Sequence, residues 1–576
     1  MKRFGTLLFT LFALGGLNGL SVGLSGATIY HSDGSAAKVK ALHKAAVNGD
    51  TITLPAGTFT WSTPLTIWKA IKLQGAGSGR IVGTTKSPVA VGTGAKTFTT
   101  SKRGLHITPG QVLRISKMPQ PRGAGGSESN PPGRGTYMEG TVTSYSGTTL
   151  VMNITSSGGS GTWQFWWIAT QPVTTIVNNY PNGGSPSTTL IQINQSSAGP
   201  TEVEGIHFLA NPATTNRSGF IGLNSTTYLN PKTLIHDCWF QTDGGGLAAI
   251  HAATNQALVW NCSFDDTFSL AAAAFTVKRE DTVGNLSWTT NSTMGADDTN
   301  GATNFYVEDC DFHAVGVADP DSNARMVFRH NVFDNSGLSS HGADTGPIGL
   351  RHVELYDNEL IFDNFGDCNG SVTLPVPWFF WMRGGTGVIT DNILPAISSC
   401  AWGNKGNILL SVLNTRRKTG GYPCWKSYPA PHQVGQGYGP GAAFHSYYSG
   451  ENYGQLDYYT YLEPVYIWGN SGTGGNGVGL NAESDDPCGN NQQLTDYIQA
   501  GRDYKLEPKP GYAKFTYPHP ARSGFQPPSP STAPVAPSSP QRIWKNKGKK
   551  IKNWKWGKAK ENSTNGVAQG QRELGE

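Results

Sequence analysis

The stretch Phe328-Arg329-His330-Asn331-Val332-Phe333 contains the pattern that decides the fold. Alternating apolar residues lead to an Asn, and one further residue separates that Asn from another apolar side chain. The pattern recurs, with Asn or Cys at the turn position, at intervals of 21 to 34 residues and once at 48, which is twice 24, and a last, weaker copy follows 78 residues after the one before it. The other copies lie at 234–240, 259–264, 307–312, 355–360, 389–394 and, more weakly, 467–470. A repeat of this length with a two-residue alternation inside it predicts stacked β-coils.

Stacking in register places each residue above its counterpart in the previous coil, about 4.8 Å away. The sequence therefore predicts two inward apolar columns and a ladder of turn amides that bond one another. The first column is Val307, Phe328, Leu355 and Ile389, and the second is Phe240, Phe264, Phe312, Phe333, Leu360 and Leu394. The predicted ladder is Asn331, Asn358, Asn392 and Asn470.

Three cysteines, Cys238, Cys262 and Cys310, take the ladder position in the earlier coils. We interpret them as small buried fillers, because their spacing fits no C-x₂-C zinc pattern. The other four cysteines are compatible with two disulfides, whose pairing the sequence leaves open. They are Cys368, Cys400, Cys424 and Cys488.

The N-terminal end predicts export. Lys2 and Arg3 precede an apolar run that ends in Ser25-Gly26-Ala27, the pattern of a signal peptide over residues 1–27. A transmembrane anchor is the alternative, but five Gly and Asn residues interrupt the run. We therefore expect a secreted, extracellular or cell-surface protein without a transmembrane segment in the mature chain.

Composition favours an all-β chain and a mildly acidic body. The 576 residues include 74 Gly, and only 14% are charged. The formal net charge of the whole chain is +5. Ten Lys and Arg residues and three Glu after residue 522 contribute +7, and Lys2 and Arg3 contribute +2, so residues 28–522 carry a net charge of −4. That charge argues against a nucleic-acid-binding body. Residues 523–541 are a Pro/Ser-rich linker. The basic, Trp-containing tail 542–576 either grips an anionic polymer or envelope surface or is a solvated tail.

The first segment after the signal peptide leads to a resemblance. A helix over residues 35–47 is expected to cap the solenoid, and "GDTITLPAGTF" (49–59) and "IKLQGAG" (71–77) follow it. These segments and the Asn-ladder coils resemble the pectate lyase-like, right-handed parallel β-helix superfamily. Lys514-Phe515-Thr516-Tyr517-Pro518-His519-Pro520 is similar to the end of the β-helix domain in bacterial members. The resemblance implies cap and first coils at 28–87 and a main β-helix at 170–522.

Residues 88–169 lack the ladder repeat and consist of short strands with Gly/Ser turns. This segment is similar to a small β module of phage tail and host-recognition proteins. We expect an inserted β domain that helps to contact glycans, and a long decorated coil is the alternative.

The alternation also predicts which side chains face outward. An outward strip of aromatic and charged residues would suit an extended sugar chain, so a polysaccharide is the expected partner. Polar and aromatic residues are, however, common on any outer β-face. The substrate-binding candidates are Trp260, Tyr306, Glu308, Tyr356 and Arg383.

For catalysis, Glu308 and Glu354 lie two coils apart, which excludes a retaining glycosidase pair and leaves an inverting one open. Glu308 is equally able to form an ion pair with Arg329, one coil away. The resemblance implies another chemistry, in which lyases use an Arg base and Ca²⁺ held by clustered Asp. Its catalytic candidates are Arg329, His341, Asp344, Arg351 and Glu354, and its calcium candidates are Asp319 and Asp321.

The departures from known motifs leave the reaction open. The WiDH-like and RxPxxR-like motifs of pectate lyases are missing, as are the NTD, DD, GHG and RxK signatures of polygalacturonase-like hydrolases. Three functions therefore remain: a polysaccharide lyase or inverting glycoside hydrolase, a non-catalytic adhesin-like glycan-binding protein, and a phage-tail-like recognition protein.

Overall fold

The repeated coils build three parallel sheets in the computed structural model of the chain. The structure describes residues 27–523 except 86, 101–104, 106, 118–135, 165, 181–188, 212–218, 225–232, 243–247, 254–256, 266–271, 278–303, 314, 319, 321–323, 335, 341–349, 362–377, 395–408, 414–427, 430–432, 438–440, 448–455, 473–477 and 481–493. Each coil contributes one strand to each side, and the chain forms an all-β, right-handed parallel β-helix.

The long sheet contains twelve parallel strands. In spatial order they are Ile29–His31, Thr51–Thr53, Lys72–Gln74, Glu202–Glu204, Thr233–His236, Ala257–Trp260, Phe305–Glu308, Arg325–Arg329, His352–Tyr356, Thr386–Thr390, Val465–Trp468 and Tyr504–Lys505.

The second sheet contains ten parallel strands. They are Gly57–Trp61, Thr174–Asn178, His207–Ala210, Trp239–Gln241, Ser263–Asp265, Asp311–His313, Val332–Asp334, Glu359–Ile361, Ile393–Leu394 and Ser471–Gly472.

The third side is a six-stranded sheet that a four-stranded sheet continues through the bridge between Gly316 and Gly337. The six strands are Leu65–Ile67, Ile191–Asn194, Ile221–Asn224, Ile250–Ala252, Ala272–Val277 and Gly316–Ala318. The four are Leu338–Ser339, Trp378–Met382, Leu409–Leu413 and Val478–Leu480.

The predicted columns are confirmed. Val307, Phe328 and Leu355 pair in register and are fully buried. On the second sheet, the rings of Phe240 and Phe264 stack with centroids 4.9 Å apart, and the stack continues to Phe312 and Phe333. The ring of one coil therefore packs on the ring of the next, and the stacked rings belong to one continuous core.

The amide ladder is also confirmed, and its geometry explains the residues beside it. Asn331 Nδ2 donates to Asn358 Oδ1 at 3.1 Å, Asn358 Nδ2 to Asn392 at 2.9 Å, and Asn392 Nδ2 to Asn470 at 2.8 Å. The residue before six of the ladder positions has a positive φ of 49–57°, which Asp, Asn and His tolerate better than most side chains, and Gly469 precedes Asn470 with a φ of 66°. The six non-glycine residues are Asp237, Asn261, Asp309, His330, Asp357 and Asp391.

The cysteines at the ladder position are buried free thiols. Each donates to the carbonyl two residues earlier, as Cys310 Sγ does to Glu308 O at 3.3 Å. Cys310 also ends the amide ladder on its N-terminal side, because its backbone N–H donates to Asn331 Oδ1 at 2.9 Å. The four remaining cysteines lie outside the described residues.

A helix, α1 (Ala36–Ala45), caps the first coil. The Ser35 hydroxyl accepts from the backbone N–H of Lys38, which satisfies one of the free amides of the first turn. Val39 is fully buried against the first coil's core, and burial lowers the pKa of His43 to about 4.

The inserted module is antiparallel throughout. In spatial order, its six-stranded sheet contains Ile81–Thr85, Trp166–Thr170, Val112–Lys117, Tyr137–Ser146, Thr149–Gly158 and Gly94–Thr99. A separate pair of strands is formed by Val89–Ala90 and Thr162–Trp163. One face has its own apolar core, which includes Phe98, Ile115 and Met152.

The C-terminal part begins with an antiparallel sheet of Gln436–Gly437, Leu456–Leu462 and Ala443–Tyr447. A short helix, α2 (Leu494–Tyr497), and the last strand of the long sheet follow. Residues 507–523, which we call the strap, end in a 3₁₀ turn at Pro520–Ser523. The described residues contain no helix that is long and apolar enough to cross a membrane.

Replacing Asn358 by Ala is expected to lower the free energy of unfolding by about 2–4 kcal/mol. The change removes two donated bonds and leaves the buried amide of Asn331 without its acceptor. Equilibrium unfolding in urea measures the loss. Cys310→Asn is the converse variant, because it adds an amide next to Asn331 and should leave stability unchanged or higher. Equal losses in both variants would contradict the ladder's role.

Candidate functional site

The predicted substrate strip lies on the outer side of the long sheet, away from the main core, but it is not exposed. Tyr306, Glu308, Tyr356 and Glu354 are at most 2% exposed, and Trp260 is half-buried. The expectation that these side chains face solvent is therefore wrong. The residues alternate outward as predicted, and a distant part of the chain covers them.

The strap is that cover. It runs back along the solenoid, across the strands, from the coil of Trp468 to the coil of Trp260. In its polar contacts with the long sheet and with the turns that follow the strands, the strap supplies cations and hydroxyl donors, and the sheet and turns supply carboxylates. The contacts are Tyr512 Oη to Glu354 at 2.8 Å, Lys514 Nζ to Asp357 at 2.9 Å and to Asp391 at 2.6 Å, Tyr517 Oη to Asp309 at 2.7 Å, and Arg522 Nε to Glu308 at 2.8 Å.

Arg329 is the centre of this contact. Its Nε donates to Glu308 at 2.7 Å, which confirms the predicted ion pair, and its other nitrogens donate to Tyr356 Oη and to the carbonyls of Phe515 and Thr516. Burial opposes the charge, but Tyr356 and Glu308 raise the pKa of Arg329 above its usual value. The guanidinium is thus buried in an ion-pair and hydrogen-bond network, and the catalytic role expected of Arg329 stays a prediction.

Arg351 and Glu354 are likewise held in internal networks. Arg351 is fully buried and donates to Thr386 at 3.0 Å and to Glu463 at 2.9 Å. Glu354 Oε1 lies 3.3 Å from His352 Nε2. Burial is the main cause, and nearby cations the second, that hold the pKa of His352 well below its usual value.

Arg383 does not reach the long sheet's outer face as predicted. It follows the third-side strand Trp378–Met382, where it bonds the backbone of Ser340 and lies 5.1 Å from the Trp381 ring. His341, Asp344, Asp319 and Asp321 lie outside the described residues. The calcium site and the loop that was expected to carry His341 and Asp344 therefore stay predictions.

A separate ion cluster lies near the first coils. Glu202 Oε1 and Glu204 Oε2 are bridged twice, by Lys72 Nζ at 3.0 and 2.8 Å and by His236 Nε2 at 2.8 and 3.2 Å. Burial opposes the charge of His236, but hydrogen bonds to Asp237 and Glu202 raise its pKa to about 9. Two glutamates and a histidine can in principle hold a metal. Here an ammonium and a protonated imidazole already neutralise the carboxylates, so the donor set does not fit a cation.

The second sheet carries a polar stack that sequence reasoning missed. Gln241, Asp265, His313 and Asp334 occupy one outward column in successive coils, and each is at most 6% exposed. We call these four residues the second-sheet stack. Gln241 Nε2 donates to Asp265 at 3.2 Å, the Trp239 indole donates to the same carboxylate, and His313 Nδ1 lies 3.4 Å from Asp334.

His313 lies between two carboxylates, one coil away on either side. Burial opposes its charge, but Asp334, Asp311 and Asp265 together raise the pKa of His313 above its usual value. The ring of Trp167, from the inserted sheet, lies with its centroid 6.4 Å from that of His313. The inserted module thus reaches the stack from the side.

A signal for this stack was present in the sequence. The residue directly after the stacked apolar ring reads Gln, Asp, His and Asp in four consecutive coils. Because the ring points inward, the next side chain must point outward. The outward candidates predicted from the sequence all lie on the strand before the turn, whereas this column lies on the strand after it.

Replacing Glu308 by Gln is expected to lower the free energy of unfolding by about 3 kcal/mol, because it leaves Arg329 buried without its counter-charge. Urea unfolding measures the change. Glu507→Gln, which removes an exposed carboxylate paired with Lys505, should cost less than about 1 kcal/mol. A small loss for Glu308→Gln would show that the strap contact is weak.

His236→Gln should destabilise the protein in a pH-dependent way. A pKa of about 9 in the folded state, against 6.5 for an ordinary His, gives stability that is complete below pH 6.5 and lost as pH rises through 9. The difference from the unmodified protein should be about 3 kcal/mol at pH 6 and close to zero above pH 10. Thermal unfolding between pH 6 and 10 tests this, and a constant difference would exclude a charged His236.

No protein-family model and no curated protein matches the sequence. Two solved structures are similar to it: the tailspike gp61 of Pseudomonas phage phi297, with 12% identity, 71% of this chain and 78% of that chain covered, and a TM-score of 0.15; and the tailspike gp49 of Pseudomonas phage LKA1, with 11% identity, 62% and 73% covered, and a TM-score of 0.15. TM-scores this low carry no argument about function. Membership of the pectate lyase-like superfamily stays a prediction, and the β-helix itself rests on the sheets described above.

Proposed function

We propose that this chain is an extracellular polysaccharide-binding β-helix that cleaves its ligand as an inverting glycoside hydrolase at the second-sheet stack. The observation that carries the proposal is the placement of Asp265 and Asp334 on either side of His313. The predicted signal peptide supports action outside the cell, and the basic tail would serve attachment to an anionic envelope surface.

The spacing of the two carboxylates favours inversion. Asp265 and Asp334 are two coils apart, which separates their backbones by about 10 Å. An inverting pair needs its carboxyl groups about 6.5–9.5 Å apart, so that a water molecule fits beside the sugar, whereas a retaining pair needs about 5 Å. Modest convergence of the side chains meets the first requirement.

The surroundings assign different roles to the two ends of the stack. Asp265 accepts hydrogen bonds from Trp239 and Gln241, which favours its ionised form and suits a general base. His313 Nδ1 lies 3.4 Å from an oxygen of Asp334, and an imidazolium beside this carboxylate suits a general acid.

In the reaction, Asp265 takes a proton from water while the water oxygen bonds to the anomeric carbon. The glycosidic C–O bond breaks, its electron pair goes to the leaving oxygen, and that oxygen receives the proton of the His313–Asp334 pair. The anomeric configuration is thereby inverted. Eliminative cleavage is a poorer fit, because three carboxylates act on His313 and a uronate would be repelled.

Asp265→Asn and Asp334→Asn should each lower kcat by about a thousandfold and leave the unfolding temperature within a few degrees of the unmodified protein. The assay combines reducing-end release across a panel of bacterial surface polysaccharides with NMR detection of the first anomer formed.

Glu507→Gln is the matched control, because it removes an exposed carboxylate far from the stack in sequence and should keep full activity. Release of the opposite anomer, or absorbance from an unsaturated uronate, would rule out the inverting mechanism. Glycan binding without any cleavage would favour the adhesin-like alternative.

A further inference from the structure

Three buried polar atoms beside the second-sheet stack have no hydrogen-bond partner among the described residues. They are the indole Nε1 of Trp167, the Nε2 of His313 and the hydroxyl of Ser263. Their residues are 2%, 6% and 0% exposed. Unsatisfied buried donors are rare in folded proteins, and each costs about 1–3 kcal/mol. Two of them on the outer face of the second sheet, with the third on the inserted sheet beside it, call for an explanation.

Two buried indoles among the described residues do have backbone acceptors. Trp61 Nε1 donates to Gly34 O at 2.9 Å, and Trp166 Nε1 donates to Trp163 O at 2.8 Å. Trp166 is the direct neighbour of Trp167 and points into the module's own core, as Ile168 does. Alternation therefore turns Trp167 to the opposite face, where it meets His313.

His313 connects the other two residues: Ser263 shares its sheet, and Trp167 has its ring centroid 6.4 Å away. Ser263 and His313 lie on the second sheet, one coil and two residues apart, and Trp167 approaches from the inserted sheet. Asp334, Asp311 and Asp265 raise the pKa of His313, and in the protonated form that they favour its Nε2 is an N–H donor, as the indole Nε1 is. Two N–H donors without acceptors thus lie beside Asp265 and Asp334.

We propose that Trp167 and His313 bind acceptor oxygens of a neutral sugar residue between the inserted sheet and the second sheet. The inference rests on the proposed function and narrows its substrate to chains that are uncharged at this position. Hydroxyl, ring or acetamido oxygens of such a residue accept from the two N–H groups, and the Ser263 hydroxyl adds a third polar contact.

Charge selects the neutral ligand. The groups that act on His313 are three carboxylates, Asp265, Asp311 and Asp334, against one imidazolium. A carboxylate-bearing sugar would meet net negative charge in a shielded environment, where repulsion is far stronger than in water. A hydroxyl or amide oxygen has no such penalty.

The test measures binding of the full chain to bacterial surface polysaccharides, each supplied in native acidic form and after chemical reduction of its carboxyl groups, and to natively neutral ones. Trp167→Phe keeps an aromatic ring at this position and removes the indole N–H donor, and it should lower affinity for neutral chains by about tenfold. Trp166→Phe is the matched control on the same strand. It removes an internal hydrogen bond and should lower the unfolding temperature without changing affinity.

Unchanged affinity of Trp167→Phe would overturn the inference and show that buried water alone satisfies the indole. Preference for the acidic forms, or no binding to any member of the panel, would overturn it equally. Cleavage is scored separately, so the two proposals can fail independently. Neutral chains that bind through Trp167 but stay intact would refute the hydrolase, whereas chains cut at full rate by Trp167→Phe would refute the donor pair.

Discussion

The in-register stacking of one turn upon the next is the constraint on which the rest of this molecule depends. Each rung of the ladder fixes the height of a coil and the phase of the strands on either side of it. Asn358, for example, bonds its neighbours above and below and also the backbone of Phe328. Once that phase is fixed, alternation decides which side chains enter the core and which form the outer columns.

This constraint explains why so much of the fold could be predicted. A repeat with Asn or Cys before Phe is local information, and parallel stacking copies it from coil to coil. The columns of Val307 and Phe312 followed from spacing alone. The left-handed residue before the rungs was not predicted, although Asp, Asn or His, which tolerate positive φ, stands there in six coils.

Exposure, by contrast, is not local. The strap meets its partners across long stretches of chain: Tyr512 lies 158 residues from Glu354, and Tyr517 lies 208 from Asp309. No alternation pattern contains that information, so the outer face of the long sheet was correctly oriented but wrongly expected to meet solvent. The charges gave a partial indication, since the strap's Lys514 and Arg522 complement the carboxylates beneath them.

The strap also changes how stability is distributed among the coils of the solenoid. In a stack of coils each unit contacts only its neighbours, so stability is close to a sum of local terms and the ends can fray. A segment that crosses six strands of the long sheet links coils that otherwise never touch, through Arg329 and Glu308 at its centre. The coils beneath it should therefore unfold together. The second sheet has no such cross-link among its described contacts, and the inserted module meets its outer face through Trp167 and His313 instead.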